Sequence, residues 1–310
     1  MDKKLYIRGT AGTHWYNFTE CLAYAVLHRK TPAGLVYTGK VPYGEEKMQY
    51  MNICTPKTEG KKPVFIYIHG GGWVSGITEM RDTYVAQWAK NGFSTFSLSY
   101  TYAPQKVFPA QLQEILNALD YIYDNAGKYG ADMSRIVLSG ESAGGWYITY
   151  LAAIAGDKML LEKLNLRFRH ADEFSVKALV SNCGCYNIRA LTDRRKMQSK
   201  FPDMKMMTTS FTGKKYDELL HWLDTDEGRL ATPPVDRGFP PVFVIWAVND
   251  YLRYEAFDLM ERLDKIGTEY EQFKADGIIG MHGWAIATVV KPGRICFEKS
   301  LAFVKKYIDL

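Results

Sequence analysis

Short runs of β-branched and aromatic residues alternate along this chain with stretches whose apolar residues recur at helical spacing, and that alternation constrains the fold more than any other feature. The runs fall at 63–68, 94–99, 135–139, 176–181 and 242–247, with a further one at about 269–275. Each ends in Gly, Asn or polar residues and predicts a buried strand. Between them, Leu112, Ile115, Leu116, Leu119, Ile122 and Tyr123 form one apolar face, with Pro109 placed for a first helical turn. Ala256, Leu259, Met260, Leu263 and Ile266 repeat the pattern before Gly267, and Phe297, Leu301, Val304 and Ile308 repeat it near the C-terminus. Strand and helix in this order predict an α/β fold, a mostly parallel central sheet covered by helices on both faces. Ligands of such sheets bind at the carboxyl ends of the strands, so chemistry is sought in the loops that follow the runs.

Composition narrows the function classes. Hydrophobic residues make up 47% of the 310 and charged residues 24%, which supplies a large core and excludes disorder and coiled coil. No internal repeat or low-complexity segment divides the chain, and 1–310 is read as one α/β domain. Two stretches leave the alternation. Residues 1–45, aromatic with weak helical spacing, are expected to lie over the sheet as an N-terminal arm. Residues 189–238 hold Met197, Phe201, Met204, Met206, Met207, Phe211 and Trp222. A structureless loop of that length is unusual in a compact domain, so a helical, cap-like insertion is expected there, on the strand-end side. The net charge of +5 is spread along the chain, unlike the clustered basic face of a nucleic-acid binder. No apolar run approaches the roughly 20 residues of a membrane span. The first residues lack the apolar core of a signal peptide, and a cytoplasmic location is expected; a homodimer is compatible with these signals. Cys21, Cys54, Cys183, Cys185 and Cys296 are irregularly spaced and are read as reduced thiols, Cys183 and Cys185 being too close for a metal clip.

Gly140-Glu141-Ser142-Ala143-Gly144 follows the run at 135–139 and precedes a helical stretch from about 144 to 155. A serine nucleophile at a sharp strand-to-helix turn needs small neighbours, because the backbone there is strained and closely packed. His69-Gly70-Gly71-Gly72-Trp73 directly follows the run at 63–68, and three glycines leave backbone N–H groups unshielded, free to face a developing negative charge. The N–H groups of Gly71, Gly72 and Ala143 are the expected oxyanion donors. A serine nucleophile also needs a base and an orienting acid, expected in the order Ser, Asp or Glu, His. Among the histidines, only His282, in the glycine-bracketed loop 280–284, follows the last expected parallel strand; His14, His28, His69, His170 and His221 lie elsewhere. Asp250, just past the run at 242–247, is the expected acid. Its neighbour Asn249 lacks the charge needed to stabilise an imidazolium, and Asp258 and Asp264 sit on the polar side of a helix.

These residues resemble the α/β-hydrolase superfamily and, within it, the hormone-sensitive lipase-like carboxylesterases and acetyl esterases. The matching segments run in order: His69 to Trp73, Ser99-Tyr100-Thr101-Tyr102-Ala103-Pro104 with Phe108-Pro109-Ala110, Gly140 to Gly145, and the Asp250/His282 pair. The likeness spans about 45–310. The family segment usually reads Asp-Tyr-Arg-Leu-Ala-Pro; with Ser99 and Thr101 in its acidic and basic places, a buried ion pair made there by relatives cannot form here. The resemblance implies acyl transfer by Ser142, His282 and Asp250 through an acyl-enzyme, without metal or organic cofactor, on a small-molecule ester with a short, for example acetyl, acyl group. Two other readings share these residues: an arylformamidase- or peptidase-like amidase using the same triad, and a catalytically inactive α/β-hydrolase fold serving as a binding module.

Overall fold

Val64, Ile66 and Ile68 pack on one side of the strand they form, and Phe65 and Tyr67 on the other. All five are buried, as a strand with helices on both faces requires. The structure, a computed structural model, describes residues 3–27, 29–192 and 203–309. The described strands are β1 (Leu35–Pro42), β2 (Tyr50–Pro56), β3 (Lys62–Ile68), β4 (Ser94–Leu98), β5 (Ala131–Glu141), β6 (Val176–Asn182), β7 (Val242–Ala247) and β8 (Tyr270–Ala275). They form one sheet in the order β1-β2-β4-β3-β5-β6-β7-β8. From β4 through β8 every neighbouring pair is parallel, whereas β1–β2 and β2–β4 are antiparallel.

One face is covered by α3 (Ala110–Asp124), α4 (Ala143–Gly156) and α10 (Arg253–Ile266), which bury Leu112, Ile115, Leu119, Trp146, Leu151 and Leu259 against the sheet. The other carries α2 (Asp82–Lys90) and α11 (Lys291–Lys305), where Trp88 stacks on Phe65 at 4.2 Å and Phe297 and Val304 close the layer. The six runs read from sequence are all strands of this sheet, and the mostly parallel, two-layered cover expected from their alternation is the observed architecture.

Two strands were not legible. β1 is exposed along most of its length and β2 carries no clear period of two, so neither shows the apolar signature of a buried strand. Residues 1–45 therefore do not form an arm throughout: β1 belongs to the sheet edge, and only α1 (Lys3–Leu27) lies outside it. That helix turns its small residues inward. Gly9 packs against Ser210 and Pro104, Thr13 is buried, and Ile7, Trp15 and Phe18 face solvent. Arg8 pairs with Asp203 at 2.5 Å, joining α1 to the residue that caps the helix starting at Met204.

Within 189–238 the described residues are largely helical, as expected. They form α7 (Met204–Thr212), α8 (Tyr216–Trp222) and α9 (Asp226–Arg229) after α6 (Ile188–Thr192). Met204, Met206, Met207 and Phe211 are buried, with Phe211 stacked on Trp73 at 4.6 Å; Met197 and Phe201 lie outside the described residues, as does His28. α5 (Met159–Lys163) follows α4. Register brings the functional loops together: Ile68 pairs with Gly140, Glu141 with Asn182, and Asn182 with Ile245, so the chains leaving β3, β5, β6 and β7 emerge at one end of the sheet.

Candidate active site

Ser142 occupies the turn between β5 and α4 with φ 54° and ψ −121°. A side chain in that region is strained, and the surroundings must enforce it. They do so from three directions. The Ser142 N–H donates to the Asn182 carbonyl at 3.1 Å, while its own carbonyl accepts from the N–H groups of Gly145 (2.9 Å) and Cys185 (3.0 Å). Close packing explains the flanking glycines. A Cβ on Gly144 would stand 2.0 Å from the Ile68 carbonyl oxygen, so α4 can leave the turn this close to β3 only without a side chain there.

The glycine loop after β3 lies against the same turn. A Cβ on Gly70 would be 2.8 Å from the Ser142 Cβ and 2.7 Å from the Glu141 carbonyl oxygen. The carbonyl of Gly71 accepts from the N–H groups of Val74 (3.2 Å) and Ser75 (3.1 Å) and from the Ser75 hydroxyl (2.9 Å). In a trans peptide the N–H of the next residue points the opposite way, so Gly72 N–H is turned out of this tight turn. Gly70 is treated alike. His69 Nδ1–H donates to its carbonyl at 2.7 Å, which fixes the opposed N–H of Gly71. Burial, with the charge of Arg81 adding to it, pushes His69 down to about 3, so this imidazole is neutral and serves as a fixed donor rather than a base. Trp73, at φ 64°, ends the loop with its ring fully buried.

Asp250 and His282 meet across the loops that follow β7 and β8. His282 Nδ1 is 2.9 Å from Asp250 Oδ1, the carboxyl is fully buried, and the imidazole is partly exposed. Burial alone would raise the Asp250 carboxyl. The charge and hydrogen bond of His282 override it, and the group titrates below its usual range as an ionised acceptor. The N–H of Leu252 donates to the same Oδ1 at 2.8 Å, and Asn249 N–H donates to the Gly280 carbonyl at 2.9 Å, so the two loops are tied to each other. Asn182 links them to the serine: its backbone carbonyl takes the Ser142 N–H and its side-chain amide donates to the Gly283 carbonyl at 3.3 Å. The turn after β6 is pinned from α10, where the Glu255 carboxylate accepts the N–H groups of Tyr186 (2.7 Å) and Asn187 (2.8 Å).

The remaining histidines with described side chains do not join this cluster: His170 stacks on Tyr123 and reaches Asp124 at 3.1 Å. Cys183 does approach it, with its sulfur within 4.8 Å of ligand atoms of both Asp250 and His282. Nδ1 of His282 is engaged by Asp250 Oδ1 in a direct hydrogen bond, the arrangement of an imidazole oriented by a carboxylate. Burial, then the neighbouring Asp250 charge, keep the Cys183 thiol protonated by raising it far above its ordinary range. Among the described cysteines Cys54, Cys183, Cys185 and Cys296 are all free thiols. Asn182, Cys183 and Glu255 were not anticipated, because nothing in the sequence around them marks a site. Glu141 shows in the sequence only as a position of the Gly140–Gly144 motif.

A parallel sheet with a serine at a strained strand-to-helix turn, a glycine loop beside it and an Asp–His pair at the same sheet end defines an α/β-hydrolase. Within that class the chain belongs to the BD-FAE family, whose model matches residues 51–252. It is 36% identical over 108 residues to a putative alpha/beta hydrolase of Acanthamoeba polyphaga mimivirus, a match covering 34% of this chain and 31% of that protein. It is 25% identical over 239 residues to an esterase of Gibberella moniliformis, covering 74% of this chain and 70% of the relative. The chain thus spans about a third of the first relative and more than two thirds of the second. Among solved structures it superimposes on esterase B from Lactobacillus rhamnosis with a TM-score of 0.80 at 20% identity, over 98% of this chain and 94% of that one. No described helix is long and apolar enough to cross a membrane.

Proposed function

We propose that the protein is a serine carboxylic ester hydrolase acting on small esters with short acyl groups. The 2.9 Å bond between His282 and Asp250, at the sheet end where Ser142 is held, carries the reading. Asp250 holds Nδ1–H, which leaves Nε2 of His282 to take the proton of Ser142 as its oxygen attacks the ester carbonyl. The N–H groups of Gly71, Gly72 and Ala143 receive the charge that develops on the carbonyl oxygen. His282 then protonates the leaving alcohol, and water, activated by the same imidazole, releases the acid from Ser142. The names of its relatives point the same way: besides the Gibberella protein, they include an esterase and carboxylesterases.

Short acyl groups are favoured by what stands next to the donors. The Met207 thioether lies where a Cβ on Gly72 would point, and Trp73, Phe211 and Trp146 are packed ring against ring behind it. Helices α6 to α9 act in this reading as a cap. The test is labelling with a serine-directed fluorophosphonate beside the Ser142→Ala variant. Labelling at Ser142, with kcat down by about 10^4-fold or more in the folded variant, supports the assignment. Undiminished turnover in the variant would overturn it.

A further inference from the structure

The residue before Ser142 carries a buried charge for which the reaction has no use. Glu141 ends β5 with its side chain 4% exposed, and its carboxylate is taken up by donors from three places. Oε1 accepts the Gly70 N–H at 2.9 Å and Arg81 Nε at 2.7 Å, with a second guanidinium N–H on the same oxygen; Oε2 accepts the Tyr67 hydroxyl. Arg81 comes from the short 3-10 turn Thr78–Arg81, outside the segment 99–104, and its side chain is also 4% exposed. Ser99 and Thr101 leave that segment without the acid and base found in relatives. Thr101 gives only its backbone N–H, to Glu114 at 2.7 Å. The buried cation paired with Glu141 is Arg81.

We infer that Arg81 and Glu141 are positioning residues that lock the glycine loop to the serine turn, so that the oxyanion donors and the nucleophile keep one geometry. The inference rests on the proposed roles of Ser142, Gly71, Gly72 and Ala143. Two physical effects meet at the pair. First, Glu141 is covalently next to Ser142 and bonded to the N–H of Gly70, which is covalently next to Gly71; a shift of either segment stretches that bond. Second, a carboxylate this close to a developing oxyanion opposes it unless neutralised. Arg81 cancels the charge at the very oxygen that holds the Gly70 N–H. Removing one member of a buried pair leaves the other uncompensated, whereas removing both charges together does not.

The test is a set of variants, Arg81→Met, Arg81→Lys, Glu141→Gln and the double Arg81→Met/Glu141→Gln. Turnover is divided by the fraction of Ser142 titrated with fluorophosphonate, so that misfolded protein is not counted. Arg81→Met is expected to lower kcat per titrated site by about 10- to 100-fold with KM within about threefold, the signature of a weakened oxyanion site. The double variant is expected to recover part of that loss, since the amide oxygen that replaces the carboxylate still accepts from Gly70 and no charge is stranded. Arg81→Lys, which keeps the charge but not the paired donors, is expected between Arg81→Met and wild type, and it stands in if Arg81→Met does not fold. Wild-type kcat per titrated site in Arg81→Met, or in Arg81→Lys where that is the only folded variant, overturns the inference, as does a double variant slower than Arg81→Met. Activity that survives Ser142→Ala would instead remove the premise and the inference with it, a result separable from the other two because it appears before Arg81 is changed.

Discussion

The Asp250 side chain is fully buried and bonded to a partner that is itself only partly covered, so a change of one atom there acts directly on His282. Asp250→Asn keeps the shape but presents an amide where Nδ1–H needs an acceptor, so the imidazole is free to adopt the wrong tautomer. We expect kcat to fall by about 10^4-fold with the fold retained, read from steady-state rates beside a melting curve. A loss under tenfold would mean that His282 is oriented by something else. That Ser142, Asp250 and His282 gather at one end of the sheet was legible because each follows a strand-like run, and among the histidines only His282 follows the last of them. Glu141 stood inside a recognised motif with no signal of what it binds, and Arg81 had no signal at all. A contact between residues 60 positions apart is written in the fold rather than in either neighbourhood.

At the level of elements, α10 and α7 each hold a loop or wall of the site in place. Glu255 on α10 is buried, and burial pushes its carboxyl up from 4.5 to about 7 against the pull of its two backbone donors. The folded protein therefore prefers the protonated form. Below about pH 4.5 the group is neutral in both states and costs nothing; between 4.5 and 7 the unfolded chain ionises first and stability falls; above 7 the loss levels off. Glu255→Gln removes that titration, so its melting temperature should gain on wild type as pH rises from 4 to 8. A gap that stays flat or narrows with pH would contradict the assignment. Met207 on α7 presses on Gly72 from the insertion. Met207→Ala should shift the preferred acyl chain to longer members of an ester series while costing about 2–5 kcal/mol of stability in chemical denaturation. An unchanged chain-length ranking would remove α7 from the acyl pocket. The helical character of this insertion was legible from its length and apolar content. Its contact with Gly72 was not, since a Met-rich stripe reads the same whether it fills a core or faces a substrate.

Across the whole molecule, the parallel strands with their covering helices were read correctly because a strand buried on both faces must be apolar throughout, and a helix lying on it must show one apolar face. The antiparallel edge was missed for the converse reason. β1 faces solvent over most of its length, and its pairing with β2 is set by backbone bonds that leave little trace in side-chain pattern. The same logic explains α1, whose packed side includes Gly9, Gly12 and Thr13 while Ile7, Trp15 and Phe18 point outward, the inverse of what spacing alone leads one to expect. The strands that were read correctly include β3, β5, β6 and β7, whose ends deliver the glycine loop, Ser142, the Cys183 turn and Asp250. The most direct measurement on that end is hydrolysis of p-nitrophenyl esters from acetate to palmitate by wild type and Ser142→Ala side by side. Rates that peak at acetate or butyrate and vanish in the variant are the predicted result. No hydrolysis of any member by a protein whose Ser142 still reacts with a fluorophosphonate, together with cleavage of formyl amides, would contradict the ester assignment.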